Sequence, residues 1–495
     1  MQSGRFLNLK YVQFTPFLKL KKVANIVESK TKKCETFQVK GLPMLKRKIY
    51  ENMLHWKKES NGSTALLIEG ARRVGKSTIA EEFAKREYSS YMLIDFTRVT
   101  EEFKQMFLDL RTDLDSLFLY LSAYSGVKLV PRKSLVIFDE IQRFPQAREA
   151  IKHLVADGRY DYLETGSLIS LKENVADILL PSEEECIEMH PLDFEEFLWA
   201  AGEGPLAQMV RLFRDKLSPM PDELHRKAMR LWNEYMLVGG MPQAVSAYFP
   251  GRGLDKADRA KRLIIKLYRD DIEKYSGLAA KRIKAVFDAT PGLLSKHEKK
   301  LVYSEVEEGS RARDFATAFT WLDEASVANI CTLASDPSLG LALSADSSVL
   351  KCYIADTGLL STMAFSTNPG QAPQVYSQVL LGESGVNNGM LMENAVAQQL
   401  VAQGDDLYFY SKTSSEKAER MEIDFLIVRP FADAAGKPRV WPVEVKSGVR
   451  YSAKSLEKFR NKFGKRVGGE IVLHPKQLKV DGNRQFLPLY MSFCL

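Results

Sequence analysis

The chain has 495 residues and a formal net charge of +7, with an ordinary balance of hydrophobic and charged residues. This length is too great for one hydrophobic core, so we expect three or four domains. The five cysteines are scattered without Cys-x-x-Cys spacing and indicate neither a zinc site nor a disulfide framework. No run of about 18 apolar residues appears, and the N-terminus lacks the apolar core of a secretion signal. We therefore expect a cytoplasmic protein without a membrane partner.

The chain begins with a basic segment, residues 1–43, in which lysines are frequent, acids are few and no hydrophobic period is clean. A segment of this composition has little apolar surface to bury. We interpret it as an N-terminal extension outside the main fold and expect it to be disordered.

An apolar strand pattern, Ala65–Ile68, leads into a complete Gly-x-x-x-x-Gly-Lys-Ser loop and then a helix pattern. In a phosphate-binding loop (P-loop) the glycines let successive N–H groups point at the phosphates, and the helix adds its positive end. We expect Lys76 to reach the β- and γ-phosphates and Ser77 to offer its hydroxyl to Mg²⁺. A plain glycine-rich turn is the alternative, but the strand and helix flanks favour a nucleotide site. The predicted nucleotide-binding residues are Gly70, Ala71, Arg72, Arg73, Val74, Gly75, Lys76, Ser77 and Thr78.

A second apolar strand pattern, Leu135–Phe138, ends in two carboxylates, as a Walker B segment does. Asp139 is predicted to hold Mg²⁺ through water, and Glu140 to act as the base for the attacking water. The alternative is that the two acids cap the next element. Together with the P-loop, this segment predicts ATP and Mg²⁺ as ligands, with Lys76 and Glu140 as catalytic residues.

A third strand-like run, Tyr160–Glu164, ends at Thr165. A polar side chain at that point can sense the γ-phosphate, so Thr165 is a further candidate nucleotide-binding residue. A plain turn at Thr165 to Ser167 is an equally good interpretation.

The segments that follow predict further domains. Helical periodicity after a proline-led helix start at Pro191 continues to about residue 290 and is broken at Gly239–Pro242. Helices followed by strand-like pieces then suit a winged-helix unit, a fold that binds either DNA or proteins. The predicted divisions are an N-terminal extension (1–43), a P-loop ATPase domain (44–200), a helical lid (201–290), a winged-helix-like domain (291–370), a linker (371–389) and a C-terminal α/β domain (390–495).

The C-terminal domain carries a second set of chemical groups. Glu393 lies on a predicted amphipathic helix, Asp424 lies in a strand, and Glu444 and Lys446 share one face of the next strand because side chains repeat every two residues. Carboxylates beside a lysine can bind one or two divalent cations and orient a water against a phosphodiester. Lysine can deprotonate that water if desolvation lowers its pKa.

This order of acids and lysine, followed by a predicted helix at Ser455–Phe463, is the signature of the PD-(D/E)xK nuclease superfamily. It predicts Glu393, Asp424 and Glu444 as metal ligands, and Asp424, Glu444 and Lys446 as catalytic residues. A solvated ion pair is the alternative for Glu444 and Lys446.

Charge gives a weaker indication of a partner. From residue 401 onward there are 17 Lys and Arg against 11 Asp and Glu. A basic C-terminal domain is compatible with DNA or another nucleic acid as partner. A solvated basic face is an equally good interpretation.

These motifs taken together resemble a prokaryotic AAA-type ATPase family whose C-terminal domain of unknown function is similar to a PD-(D/E)xK nuclease. The segments that carry the resemblance are Gly70–Ser77, Phe138–Gln142, Thr165–Ser167, Pro191–Leu198, Gly239–Pro242 and Tyr353–Leu360. Such chains typically begin near a position matching Met44, so we expect residues 1–43 to reflect an upstream start codon.

The resemblance implies ATP and Mg²⁺ binding at Lys76, Ser77, Asp139 and Glu140, and nuclease-like positions at Glu393, Asp424, Glu444 and Lys446. It implies an α/β fold with an AAA-type P-loop core and a restriction-endonuclease-like C-terminal domain. Oligomers occur in this class, and switch-type members act as monomers. An arginine finger is not assigned, and the candidates are Arg143, Arg269 and Arg313.

Two functions remain open from the sequence. In the first, nucleotide state moves the middle domains while the C-terminal domain cuts a polynucleotide. In the second, the protein is a nucleotide switch whose nuclease-like domain only binds nucleic acid or a protein. A small-molecule kinase is disfavoured by the long C-terminal half.

Overall fold

The computed structural model describes residues 44–167, 181–274, 277–296, 299–301, 306–307, 311–365, 376, 378, 388–414, 416, 419–430, 437–448 and 450–495. The predicted extension at residues 1–43 lies outside the described residues, as does most of the predicted linker at 371–389. Among the helices that are described, none combines the length and apolar character needed to cross a membrane.

Helices account for much of the described chain. The α-helices are α1 (Ile49–Ser60), α2 (Lys76–Glu87), α3 (Glu101–Leu110), α4 (Leu114–Ser125), α5 (Pro145–Asp157), α6 (Phe194–Ala200), α7 (Gly204–Asp215), α8 (Asp222–Val238), α9 (Pro242–Tyr248), α10 (Leu254–Glu273), α11 (Gly277–Leu294), α12 (Ala312–Glu324), α13 (Thr357–Phe365), α14 (Asn388–Ala402) and α15 (Lys454–Phe463). Short 3₁₀ helices span Ile141–Arg143, Leu341–Ser344, Gly464–Arg466 and Leu489–Cys494.

The first sheet is parallel throughout and has the strand order β2-β3-β4-β1-β5. Its strands are β1 (Ala65–Glu69), β2 (Ser90–Asp95), β3 (Ser134–Asp139), β4 (Asp161–Thr165) and β5 (Glu184–Glu188). Because parallel strands end at the same edge, this order brings the segments after β1, β3 and β4 close together. The predicted P-loop, the Asp139–Glu140 pair and Thr165 all belong to that edge.

Both faces of this sheet are buried. Leu66 and Ile68 of β1 pack into one hydrophobic core, while Ala65 and Leu67 pack into a second core on the opposite face. Continuous apolar strands are typical of parallel sheets covered by helices on both sides. The strand that carries the P-loop is therefore held firmly from both faces.

The predicted helix start near Pro191 and the predicted helical region up to about residue 290 are both confirmed. The side chain of Asp193 accepts a hydrogen bond from the N–H of Glu196, whose carboxylate accepts one from the N–H of Asp193, so α6 begins with a capping box. The chain then forms α7 to α11.

The break at Gly239–Gly240 is a tightly packed junction. A Cβ on Gly240 would lie 2.0 Å from the carbonyl oxygen of Leu192, and one on Gly239 would lie 2.2 Å from Oδ1 of Asp356. The N–H of Gly240 donates to the carboxylate of Asp356 at 2.5 Å. Three segments far apart in the chain meet here, which explains why the sequence needs two glycines.

The second sheet is mixed and has the order β12-β13-β11-β10-β9-β8-β6-β7. Its strands are β6 (Ala328–Ala334), β7 (Ala345–Ile354), β8 (Tyr408–Lys412), β9 (Met421–Pro430), β10 (Pro438–Val445), β11 (Glu470–His474), β12 (Lys479–Asp481) and β13 (Arg484–Pro488). The helix predicted at Ser455–Phe463 is present as α15.

Two expectations for this half of the chain differ from the structure. The strands expected to form a separate winged-helix-like domain, β6 and β7, extend the C-terminal sheet, because β6 pairs in parallel with β8. Helix α14 was expected to be amphipathic but is buried on every side from Met390 to Leu400. Its polar side chains, such as Asn394 and Gln398, bond to buried backbone groups, so polar residues in this helix do not mark a side that faces solvent.

Candidate functional site

The P-loop between β1 and α2 has glycine where the backbone requires it. Gly70 has φ of +142°, and a Cβ there would lie 2.3 Å from the carbonyl oxygen of Met189. Gly75, just before α2, has φ of +102°. Side chains are rarely tolerated in either conformation, so the glycine spacing of the motif reflects the path of the backbone.

Lys76 is buried at the start of α2, and its ammonium turns back onto the loop. The Nζ atom donates hydrogen bonds to the carbonyl oxygens of Gly70 and Ala71, both at 2.9 Å. Burial lowers the pKa of Lys76 to about 8, although the nearby carboxylates of Glu140 and Asp139 oppose this shift. A phosphate group would supply the negative charge that this ammonium lacks.

Three predicted polar residues converge beside Lys76. The Ser77 hydroxyl donates to Oδ1 of Asp139 at 2.7 Å, and the Thr165 hydroxyl donates to the same oxygen. Burial raises the pKa of Asp139, although these two hydroxyls oppose the rise. Thr165 is thus connected to the Walker B carboxylate, and its role in sensing the γ-phosphate stays a prediction.

Glu140 follows β3 in a left-handed backbone conformation, with φ of +55°. This conformation is uncommon for a residue with a side chain and often marks a functional position. The backbone N–H of Glu140 donates to the Thr165 hydroxyl at 3.3 Å, and the Gln142 amide donates to the Glu140 carboxylate. Gln142 therefore orients the predicted base, a role that the residue types alone did not reveal.

These oxygen atoms fit Mg²⁺. The ion prefers oxygen ligands, takes few from the protein and completes its coordination with phosphate oxygens and water. The Ser77 hydroxyl and the buried Asp139 carboxylate are oxygen ligands of that kind, and they already contact each other close to the Lys76 ammonium.

Helix α10 touches the P-loop directly. The Tyr268 hydroxyl donates to the carbonyl oxygen of Arg72 at 3.0 Å, and the Arg72 guanidinium pairs with the Asp271 carboxylate at 2.9 Å. We predicted Arg72 as a nucleotide-binding residue, and here its side chain points at the helical region. This contact could not be predicted because the two segments are separated by nearly 200 residues.

The segment before α1 also supports the loop. The buried guanidinium of Arg47 donates to the carbonyl oxygen of Val74 at 3.0 Å and to the Glu196 carboxylate at 3.1 Å. The side chains of Arg73 and Thr78 are exposed. Among the arginine-finger candidates, Arg269 forms an ion pair with Asp288 at 2.7 Å.

The C-terminal residues predicted to bind metal do lie close together, in an acidic cluster that we define as Glu393, Glu422, Asp424 and Glu444. One Asp424 oxygen accepts a hydrogen bond from the N–H of Val445 at 2.8 Å, which joins β9 to β10. Lys446 pairs with Glu444 at 2.9 Å, as strand alternation predicted. Burial raises the pKa of Glu444 to about 7, and Asp424 adds to the rise while Lys446 opposes it.

Two lysines from outside the C-terminal domain enter this cluster, and the sequence did not reveal either of them. The fully buried Nζ of Lys351 lies 2.9 Å from Glu422, 3.6 Å from Glu393 and 3.9 Å from Asp424. The ammonium of Lys299 pairs with the other oxygen of Glu393. Burial alone would raise the pKa of Glu393, but Lys299 and Lys351 outweigh it and lower this pKa to about 2.

This arrangement does not fit a divalent metal ion. In the part of the chain that the structure describes, no group of three or more His, Cys, Asp or Glu side chains is arranged to hold a metal. The ammonium of Lys351 lies among the carboxylates that we predicted as metal ligands.

The parallel sheet, the P-loop and the Walker B carboxylate define an AAA-type P-loop ATPase domain. A family model described as an AAA domain matches residues 62–198. Models for two domains of unknown function, DUF8612 and DUF4143, match residues 229–369 and 388–491. A comparison with curated proteins gave no match.

Several solved structures are similar to this chain. A Walker-type ATPase of Pyrococcus abyssi is 15% identical, with a TM-score of 0.38 over 65% of this chain and 96% of that chain. The RuvB Holliday junction branch migration motor of Thermotoga maritima is 15% identical, with a TM-score of 0.23 over 46% of this chain and 78% of that chain. Cdc6p from Pyrobaculum aerophilum is 9% identical, with a TM-score of 0.24 over 70% of this chain and 97% of that chain.

Proposed function

We propose that the protein is a Mg²⁺-dependent ATP hydrolase that works as a nucleotide switch, passing the state of the P-loop to the C-terminal domain. The hydrolase part rests on the meeting of Lys76, Ser77, Asp139 and Glu140 at one edge of the parallel sheet. Residues of these types, so arranged, are those that bind and cleave a nucleoside triphosphate.

The chemistry follows from the residues around the phosphates. The ammonium of Lys76 exchanges its carbonyl partners for β- and γ-phosphate oxygens and stabilises the charge that develops there. A water attacks the γ-phosphorus and gives its proton to Glu140, while the bond to the β–γ bridging oxygen breaks to yield ADP and phosphate. The Ser77 hydroxyl and the Asp139 carboxylate would hold Mg²⁺, which would supply further neutralisation of the phosphates when bound.

The switch part rests on contacts that run from the P-loop to the acidic cluster. One end of α10 contacts the loop through Tyr268. Toward its other end, Asp258 accepts a hydrogen bond from Thr362 of α13 at 3.0 Å. At the start of α13, the N–H of Thr357 donates to Gln398 of α14 at 2.9 Å, and α14 carries Glu393. A nucleotide that changes the P-loop contact to α10 can thus bias the packing of α13 and α14.

The hydrolase is tested by measuring ATP binding and phosphate release in wild type, Lys76→Ala and Glu140→Gln. We expect Lys76→Ala to lose ATP binding, and Glu140→Gln to bind ATP while turnover falls by about 10²- to 10⁴-fold, because the base is removed. Lys85→Ala is the matched control, since this lysine of the same helix forms an i,i+4 pair with Glu81, away from the phosphate-binding loop. Full turnover in Glu140→Gln would remove Glu140 as the base, and a wild type that binds ATP without releasing phosphate would overturn the hydrolase.

The switch is tested by amide hydrogen exchange with ADP and with a non-hydrolysable ATP analogue. We expect the protection of α13 and α14 to differ between the two nucleotides in wild type and to be unchanged in Lys76→Ala. Identical exchange in both nucleotide states, at saturating concentrations, would refute coupling through α10.

Nucleic acid is a second candidate partner, supported by exposed basic side chains on α15 and the 3₁₀ turn after it. The side chains of Lys454, Arg460, Lys462 and Lys465 are exposed along this segment. Basic side chains that bind DNA or RNA phosphates release counterions. We therefore expect DNA or RNA binding that weakens steeply with salt and is reduced by Arg460→Glu.

Nuclease action at Asp424, Glu444 and Lys446 is the alternative. Cleavage of DNA or RNA with Mg²⁺ or Mn²⁺ that is lost in Asp424→Ala would establish it.

A further inference from the structure

The acidic cluster of the C-terminal domain is built around Lys351, which comes from a different segment of the chain. Lys351 lies on β7, inside the stretch 229–369 that matches one domain of unknown function, whereas the four acids lie inside 388–491. Strand β7 is carried by its long pairing with β6, in which Lys351 lies opposite Cys331. The pairing of β6 with β8 then brings this lysine to the acids.

The ammonium of Lys351 is held mainly by charge. Its side chain is fully buried and lies 2.9 to 3.9 Å from three carboxylates, those of Glu422, Glu393 and Asp424. None of the described acceptors lies in a direction suited to a hydrogen bond with its Nζ. The Nζ atom also lies 4.9 Å from the centre of the Phe409 ring, whose face attracts a cation.

The charges of this cluster are nearly balanced by the protein itself. Four carboxylates face the ammonium groups of three lysines, Lys299, Lys351 and Lys446. Buried charges are stable only when they are paired, and this set leaves about one negative charge when every group is ionised. A divalent cation added to the same space would face an ammonium at close range and would reverse the sign of the net charge.

We propose that Lys351 is a built-in cation that replaces a divalent metal ion in the C-terminal acidic cluster, so that this domain works without metal. The lysine satisfies the acids, joins β7 to β9 and α14, and closes the cluster to free cations. If Lys351 plays this role, removal of its ammonium lets Glu393, Glu422 and Asp424 draw together around a cation in its place. This expectation does not depend on ATP hydrolysis, because the P-loop takes no part in it.

The test is a Mn²⁺ titration of the full chain without nucleotide, followed by the electron paramagnetic resonance signal of free Mn²⁺. We expect Asp424→Asn to leave the Mn²⁺ binding of the wild-type protein unchanged, because no Mn²⁺ binds at the acidic cluster. We expect Lys351→Met to bind one Mn²⁺ about tenfold or more tightly than wild type, since freed carboxylates are the ligands this ion prefers. Lys412→Met is the matched control, because this half-buried lysine of the same sheet pairs with Glu419, away from the acidic cluster.

A second variant keeps the test decisive if Lys351→Met does not fold. Lys351→Met leaves the carboxylates of Glu393, Glu422 and Asp424 without their shared cation, so it is expected to melt earlier than wild type and to regain stability when Mn²⁺ is added. If it does not fold, Lys351→Met/Glu422→Gln removes one charge of each sign and keeps Glu393 and Asp424 as ligands. Metal binding by wild type that Asp424→Asn abolishes would overturn the proposal. So would folded Lys351 variants that bind no more Mn²⁺ than wild type.

Discussion

The lowered pKa of Lys76 leads to a specific pH dependence of ATP binding. In the empty site, burial lowers the pKa of this lysine to about 8, and its nearest partners are two neutral carbonyl groups. Phosphate oxygens in contact with the ammonium favour its charged form, so ATP raises this pKa again. The site must therefore take up a proton when ATP binds above about pH 8, and we expect ATP affinity to fall as pH rises through that value.

The size of the effect follows from the two pKa values. With the Lys76 pKa at about 8 in the empty site and back at its ordinary, higher value with ATP bound, ATP affinity falls about tenfold, or ~1.4 kcal/mol, between about pH 7 and about pH 9. The lowered pKa of Lys76 has the opposite pH dependence for the folding of the protein without ATP. Because the unfolded chain holds this proton more tightly, the contribution of Lys76 to stability increases as pH rises from about 8 to about 10.5.

Isothermal titration calorimetry, in which ATP and Mg²⁺ are added to the protein in buffers of different ionisation enthalpy, measures both the ATP affinity and the number of protons taken up. We expect nearly one proton per ATP at about pH 9 and almost none at about pH 7. Lys76→Arg is the control, because a guanidinium stays charged at both pH values and should bind ATP with little pH dependence. Equal wild-type affinity at both values, without proton uptake, would refute a lowered pKa as the state of the empty site.

Two further predictions concern the contacts that connect the halves of the chain. Tyr268→Phe removes the hydrogen bond to the Arg72 carbonyl, so we expect a loss of about 0.5–1.5 kcal/mol in unfolding free energy and a smaller ATP-dependent change in α13 exchange. Gly240→Ala forces a Cβ against Leu192, so denaturant unfolding should show a loss of about 1–3 kcal/mol, whereas Gly292→Ala, which meets nothing within 4 Å, should be neutral or stabilising. Equal stability of the two alanine variants would contradict the tight packing at this junction.

Local sequence patterns predicted the elements well where one strand or helix carries its own signal. The apolar strands before Gly70 and Asp139 lie at the predicted positions, and so does the helix at Ser455–Phe463. The sequence did not predict that β6 and β7 join the C-terminal sheet, because strand pairing over long distances in the chain is not encoded in local periodicity. The prediction that α14 is amphipathic is wrong, because its polar residues, such as Asn394 and Gln398, bond to buried backbone groups.

The candidate sites show the same division. The P-loop could be predicted because its function depends on residues consecutive in the chain, and the Walker B acids because they end an apolar strand. The partners that orient or brace these residues, Arg47, Gln142 and Tyr268, carry no such local signal. Their roles arise only when the fold brings distant segments together.

Two buried lysines in this chain illustrate how surroundings decide what a charged group can do. Burial favours the neutral form of both, yet the pKa of Lys76 is lowered to about 8 while that of Lys351 is raised above its usual value by Glu393, Glu422 and Asp424. The first ammonium has carbonyl oxygens as its nearest partners and gains most from an incoming anion. The second already has three carboxylates around it, so neither an anion nor a metal ion would improve its surroundings. The electrostatics thus favour ligand binding at the P-loop and a structural role for the C-terminal cluster.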